Sequence, residues 1–293
     1  MLKRKRRHKL GTSNTDPARF NKSQIKIYGY LIPISIVMLL PIIYIVVSAF
    51  KPMDELFAYP PRFYVKNPTF DNFRRLFEVS SDTAISAGRY LFNTFVNTVV
   101  IMFLNVWISV CVGFVLSKKT FRGKDALLQV NNMALMFVQT AVAIPTYFVI
   151  VYTGLRNNFL VGIIPALVVP TGVFLVKQFI DQLPDALIEA ARIDGLSEVR
   201  IFFQMFIPTM KSTYAAAAVI TFMNAWNAYL WPKVIMTDNK ALTMPMLIAN
   251  LITGYVTDYG MLMCGVLFCS IPTMIVFFVL QKQFAEGITG AVK

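Results

Sequence analysis

Two pairs of amides stand inside stretches that are otherwise apolar. Asn93 and Asn97 lie four residues apart in the run Leu91–Ser117, and Asn224 and Asn227 lie three apart in the run Ser212–Trp231. Those spacings put each pair on one face of a helix. An amide in a membrane must find a partner, so each pair faces protein or a water-filled cavity rather than lipid. The alternatives at both sites are lining a polar path and hydrogen bonding to a neighbouring helix. Trp226 sits between Asn224 and Asn227, and Trp231 follows; an aromatic belt at the membrane interface is a further use of these rings.

Bond-making chemistry lacks its parts. His8 is the single histidine, and Cys111, Cys264 and Cys269 are scattered through apolar runs with no C-x-x-C pair. No metal or redox site is expected from such a set. No G-x-x-x-x-G-K-[ST] loop is present to cradle nucleotide phosphates, and no H-E-x-x-H. The chain is therefore expected to hold no cofactor and to be no enzyme. No carboxylate falls in the middle of an apolar run, which counts against a proton- or ion-coupled carrier. The related spans repeated within one chain that would mark such a carrier are missing as well.

The most specific spacing lies elsewhere. Pro184 is suited to a helix start and Gly195 to the position after a helix end. Between them Ala186, Leu187, Ala190, Ala191 and Ile193 make a small apolar side, and Pro208 follows thirteen residues after Gly195. Glu189-Ala190-Ala191, Gly195 and Pro208 together resemble the EAA loop of permease subunits of binding-protein-dependent ABC importers. Met205-Phe206-Ile207 is a conservative departure from that pattern. The resemblance implies a coupling helix docking into a groove on an ATPase subunit. Glu189 would be its charged anchor, Ala190 and Ala191 would permit close approach, and Gly195 the sharp turn. Asp181, Asp185, Asp194 and Glu198 make the loop acidic, so basic residues are expected to rim that groove.

Two further stretches point the same way. Phe222 to Pro232, containing Asn224, Trp226, Asn227, Tyr229 and Trp231, resembles the F-x-x-x-W-N-x-F-x-W-P run of carbohydrate permeases. In that setting Asn224 and Asn227 would bond sugar hydroxyls and Trp226 would face ring CH groups. Phe284 to Lys293 resembles the ending of the maltose-type permease that pairs with a second, related subunit. The fold implied is that of the type I ABC importer permease. The partners implied are a second homologous permease subunit, two ATPase subunits that bind ATP and Mg, and an extracellular sugar-binding protein. Glycerol-phosphate permeases share most of these motifs, so another solute of that kind is the alternative to a sugar.

The elements that must position these residues are membrane helices. Of 293 residues 56% are hydrophobic, and mean hydropathy is +0.59, above the roughly 45–50% of soluble domains. The expectation is an all-α integral membrane protein with six spans: 27–50, 91–117, 126–153, 159–180, 212–231 and 259–281. Around this 27–281 domain lie a basic tail over 1–26 and a short tail over 282–293, with the coupling loop at about 181–208. A surface-lying amphipathic helix is expected near 69–77, and 232–258 reads as a loop. The first 26 residues are too polar for a signal peptide.

The net charge of +13 would suggest nucleic acid in a soluble protein; here topology accounts for it. With both termini and the Glu189 loop inside, the inside carries 19 of the 28 Lys+Arg and 8 of the 15 Asp+Glu. That asymmetry orients the chain with cytoplasmic termini in a bacterial inner membrane, with lipid rather than nucleic acid as its surroundings.

Overall fold

A computed structural model describes residues 22–82, 86–138, 141–156, 158–167, 170–235, 242–253 and 258–290. The first 21 residues of the basic tail, Gln139, Thr140, Asn157 and the closing Ala291-Val292-Lys293 lie outside the described residues. Regular structure among the described residues is helical throughout. The chain opens with α1 (Lys22–Ala49), a turn at α2 (Met53–Leu56) and α3 (Asp71–Asp82). Then come α4 (Ala87–Lys118), α5 (Lys124–Met136), α6 (Ala143–Tyr152), α7 (Pro170–Asp181) and α8 (Asp185–Ile193). A short α9 (Glu198–Ile201) passes through a π turn over Phe202–Phe206 into α10 (Ile207–Thr209) and α11 (Lys211–Trp226). The last elements are α12 (Leu230–Ile235), α13 (Met244–Thr253) and α14 (Tyr259–Gly290).

Four stretches are long and apolar enough to cross a membrane: Ile25–Ala49, Ala87–Lys118, Leu160–Asp181 and Tyr259–Gln281. Spanning takes about 20 residues, and α5, α6 and α11 have 13, 10 and 16. The expected third span is therefore built from two pieces. α5 ends at Met136 and α6 begins at Ala143, so the two pieces part ahead of Pro145. Pro145 sits in the first turn of α6, where a missing N–H costs nothing. α11 reaches crossing length through the turns that precede it. Six spans are consistent with this arrangement. Pro33, Pro41 and Pro272 all lie within continuous helices, as membrane helices allow.

Two apolar clusters sit at opposite ends of the bundle. One gathers Val110, Phe114, Val176, Ile180, Ile188, Ala191, Ile201, Phe202, Phe206 and Met210 beneath the Glu189 loop. The other gathers Ala49, Leu76, Tyr90, Leu242, Met244, Met261 and Cys264 at the far end. α4 enters both. It approaches α7 closely because Gly113 faces Val176: a Cβ on Gly113 would lie 2.8 Å from that valine's Cγ1.

At the far end, two expectations change. Residues 232–258 are more than a loop: α13 forms there, with Met244 and Met246 buried against α4 and α14. Its apolar residues, Met244, Leu247, Ile248 and Leu251, recur at helical spacing. The helix expected near 69–77 does form, as α3, and it is anchored to the bundle rather than free on a surface. Asn72 is fully buried and its Nδ2 donates to the carbonyls of Ala49 (3.0 Å) and Lys51 (2.6 Å). Arg75 pairs with Asp258 at 2.5 Å, while Asp258 Oδ1 accepts the Met261 N–H at the start of α14.

Candidate functional site

The Glu189 stretch folds as a nine-residue helix, α8, between α7 and α9. Pro184 occupies the position just before the first turn, φ −60 and ψ 135, one residue earlier than its helix-starting preference suggests. Asp185 in the first turn and Arg192 in the last oppose the helix dipole favourably. At the other end Gly195 takes φ +79, its N–H donating to the Arg192 carbonyl and the Leu196 N–H to the Ala191 carbonyl, each at 3.0 Å. This is a Schellman closure, and it requires the left-handed conformation that glycine adopts most cheaply. A Cβ on Gly195 would meet nothing within 4 Å, so the constraint there is conformational and not steric.

The helix has two faces. Ile188 and Ala191 are buried in the apolar cluster beneath the loop. Glu189, Ala190 and Asp194 are exposed, flanked by Leu187 at 50% and Ile193 at 86% exposure. Small apolar and acidic side chains thus share one uncovered surface. Pro208 is exposed two residues beyond the π turn, in the short α10. A proline removes a backbone donor from the i→i−4 ladder, and π turns arise where that ladder is disturbed.

The end of α4 grips this loop on both sides. Lys118 Nζ donates to the Leu183 carbonyl and to Asp185 Oδ1, both at 2.7 Å, before the helix. After the helix, Lys119 Nζ lies 2.5 Å from Glu198 Oε2, and Arg192 Nε donates to Glu198 Oε1 at 2.9 Å. Ser117 Oγ donates to Asp181 Oδ1 at 2.6 Å. The Lys119 ammonium beside Glu198, reinforced by Arg192, holds that carboxyl below the ordinary glutamate range.

The amides divide between two surroundings. Asn93 and Asn97 are both buried on α4, and Asn93 Nδ2 donates to the Leu242 carbonyl at 3.1 Å. Its neighbour Thr94 donates to the Tyr90 carbonyl and accepts the Met244 N–H, each at 2.7 Å, which pins the start of α13. Asn97 Oδ1 is buried with no partner among the described residues. An amide oxygen left so costs about 1–3 kcal/mol unless water or solute meets it. Asn224 and Asn227 are exposed on α11, and Asn227 Nδ2 bonds back to the Met223 carbonyl at 2.9 Å.

Trp226 turns the other way. It is 1% exposed, stacked on Phe222 with ring centroids 5.4 Å apart, and its Nε1 donates to the Cys269 carbonyl of α14 at 2.9 Å. Held in this way, Trp226 fixes the end of α11 against α14.

One mid-bundle group escaped sequence reading. Asn105 is fully buried; its Nδ2 donates to the Leu167 carbonyl at 2.8 Å and its Oδ1 accepts the Thr221 hydroxyl at 3.0 Å. The signal was available: Asn93, Asn97, Ile101, Asn105 and Ser109 follow a four-residue stride, all buried on α4 and polar at every step but Ile101.

A broken membrane helix, a glycine-closed loop helix with an open face and a bundle carrying inward amides define a membrane component of a transport machine. Residues 27–290 match the family described as binding-protein-dependent transport system inner membrane component. The arabinooligosaccharides transport system permease protein AraQ of Halalkalibacterium halodurans is 31% identical over 266 residues, 89% of this chain and 93% of the relative. The sn-glycerol-3-phosphate transport system permease protein UgpE of Pectobacterium atrosepticum is 27% identical over 278 residues, 93% and 99% of the two chains. A chain in the crystal structure of a bacterial ABC transporter involved in the import of the acidic polysaccharide alginate shares the fold. Its TM-score is 0.74 at 20% identity, over 91% of this chain and 99% of that one. The chain belongs to the binding-protein-dependent transport system inner membrane component family, the permease component of ABC importers.

Proposed function

We propose that this chain is a sugar- or oligosaccharide-carrying permease subunit of an ATP-driven importer in a bacterial inner membrane, with both termini and α8 on the cytoplasmic side. The observation that carries the proposal is α8 itself, buried on one face and open on the other, with Gly195 at φ +79 closing it. Its exposed Leu187, Ala190 and Ile193 suit an apolar groove, and Glu189 and Asp194 suit a basic rim. Two ATPase subunits would bind ATP and Mg and receive this face. A second permease subunit would complete the path, and an extracellular binding protein would deliver the solute.

The exposed Asn224 and the Asn227 side-chain oxygen are offered to solute hydroxyls, since lipid would leave them unsatisfied, and the partnerless Oδ1 of buried Asn97 would join them where solute or water reaches it. Relatives include both arabinooligosaccharide and glycerol-phosphate permeases. Charge favours the neutral solute. No Lys or Arg occurs between Arg89 and Lys118 or between Lys211 and Lys233, whereas phosphate esters are normally held by cationic donors. The test is uptake by the complete complex in proteoliposomes, offered labelled oligosaccharides or glycerol 3-phosphate together with the cognate binding protein. ATP-dependent uptake of an oligosaccharide is expected. Uptake of glycerol 3-phosphate alone overturns the sugar assignment, and uptake driven by an ion gradient without ATP overturns the class.

A further inference from the structure

Both ends of α4 are fastened to elements that a transport cycle must move. At one end Lys118 and Lys119 hold the two flanks of α8 through Leu183, Asp185 and Glu198. At the other end Asn93 and Thr94 hold the start of α13 through the Leu242 carbonyl and the Met244 N–H. Between them the helix is unbroken over 32 residues and contains no proline, so Thr94 and Lys118 stand about 36 Å apart at 1.5 Å per residue. The same helix contributes Val110 and Phe114 to one apolar cluster and Ala87 and Tyr90 to the other.

By contrast, the elements that adjoin α8 in sequence are interrupted. The stretch before it winds through two 3-10 turns, Phe159–Gly162 and Ile164–Ala166, and the stretch after it carries the π turn at Phe202–Phe206. Such interruptions absorb motion locally, while a continuous helix packed at both ends moves as a body.

We propose that α4 is the rod that links the coupling helix to the opposite membrane face, with Lys118 and Lys119 as positioning residues at one end and Thr94 at the other. The proposal rests on the coupling role assigned to α8. Displacement of α8 by the ATPase subunits is carried along α4 to α13, whose first turn Thr94 and Asn93 anchor. The Leu242–Thr253 segment is then the part of the solute-entry face that responds to the nucleotide state.

The test uses the whole complex, purified through a tag on this chain, with MgATP plus orthovanadate as the probe. Amide hydrogen exchange is read over α8 and α9 and over 242–253. Nucleotide trapping is expected to change exchange in both segments. Lys119→Met and Thr94→Val should each reduce the response of 242–253 severalfold while the ATPase subunits still co-purify; Lys119→Arg and Thr94→Ser should restore it. The double variant should be no worse than the weaker single variant, because both cut one path. Effects at sites this far apart otherwise add. Two results overturn the rod: additive effects in the double variant, or a response at α8 with none at 242–253. Absence of any nucleotide response at α8 itself overturns the coupling role instead.

Discussion

The Asn105 amide nitrogen lies 2.8 Å from the carbonyl oxygen of Leu167, the residue that follows the 3-10 turn Ile164–Ala166 and stands three residues ahead of Pro170. Proline supplies no backbone donor, so carbonyls one turn earlier need another partner. Asn105 provides it, and the Thr221 hydroxyl fixes the amide from α11. One side chain thus ties α4 both to α11 and to the turn ahead of α7. Asn105→Leu should cost about 1–3 kcal/mol, the range for leaving buried groups unpaired. Thermal unfolding of the purified protein in detergent reads this as a lowered Tm. An unchanged Tm would show that water satisfies the Leu167 carbonyl as well as Asn105 does.

Gly195 makes a separable demand. Nothing lies within 4 Å of its missing Cβ, yet its φ is +79. A β-branched residue is poorly suited to that region, and a strained left-handed residue costs of order 1–3 kcal/mol. Gly195→Val should leave membrane insertion intact and abolish uptake by unwinding the end of α8. Gly195→Asn, which tolerates the left-handed region better, should keep a substantial part of the activity. Equal uptake by Gly195→Val and the unmodified protein, at equal membrane levels, would remove the requirement for this closure.

The Glu198 carboxyl responds to pH in a defined direction. Its partner Lys119, with Arg192 adding to the effect, holds its pKa below the ordinary value of about 4.3. A depressed carboxyl contributes its stabilisation above the unfolded value and loses it as pH falls through the folded one. Protection of the α8 amides, corrected for intrinsic exchange, should therefore stay flat from pH 8 to 5 and fall only as the pH drops below the ordinary glutamate range. Lys119→Met raises the Glu198 value and should lower protection already at pH 7. A decline between pH 7 and 5 in the unmodified protein would assign loop stability to another group.

Much of this was legible in the sequence because local chemistry fixed it. Gly195 and the run Glu189-Ala190-Ala191 declare a short closed helix by residue type alone, and α8 forms where they stand. The apolar runs Ala87–Lys118 and Tyr259–Gln281 read directly as helices. What could not be read depends on contacts distant in sequence. Periodicity identifies Asn105 as a buried amide, yet only tertiary packing brings Leu167 and Thr221 to it. Trp226 reads as a solute-facing aromatic, and only tertiary packing brings the Cys269 carbonyl of α14 to its Nε1. In the sequence Lys118 and Lys119 count only toward the charge balance, and their use in the loop appears only when Asp185 and Glu198 fold back onto them.

Orientation follows from charge and is tested by access. Cysteine introduced at Arg122 should be shielded from an impermeant thiol reagent in intact cells, and cysteine at Arg62 should react. The positive-inside bias of the loops favours this arrangement. Labelling at Arg122 from outside would invert the chain and place α8 beyond the reach of cytoplasmic ATPase subunits.

Asn224 separates a solute path from a structural amide. It is exposed on α11, one turn from Asn227, whose own Nδ2 is already occupied by the Met223 carbonyl. An exposed asparagine on a membrane helix is poorly served by lipid, so it meets solute, water or a partner helix. If it meets solute, Asn224→Ala removes a hydrogen bond worth about 0.5–1.5 kcal/mol. The half-saturating solute concentration for uptake should then rise severalfold, since 1.4 kcal/mol corresponds to tenfold. The Tm and the recovery of ATPase subunits should stay as in the unmodified complex. If it meets a partner helix, the same variant lowers the Tm of the complex and leaves the solute dependence unchanged. Uptake curves and thermal unfolding measured on one preparation distinguish the two. Asn97→Ala provides the comparison, because its Oδ1 is buried without a partner. A solute role for both predicts that each variant shifts the uptake curve; a shift for Asn97→Ala alone would confine the path to α4 and take Asn224 out of it.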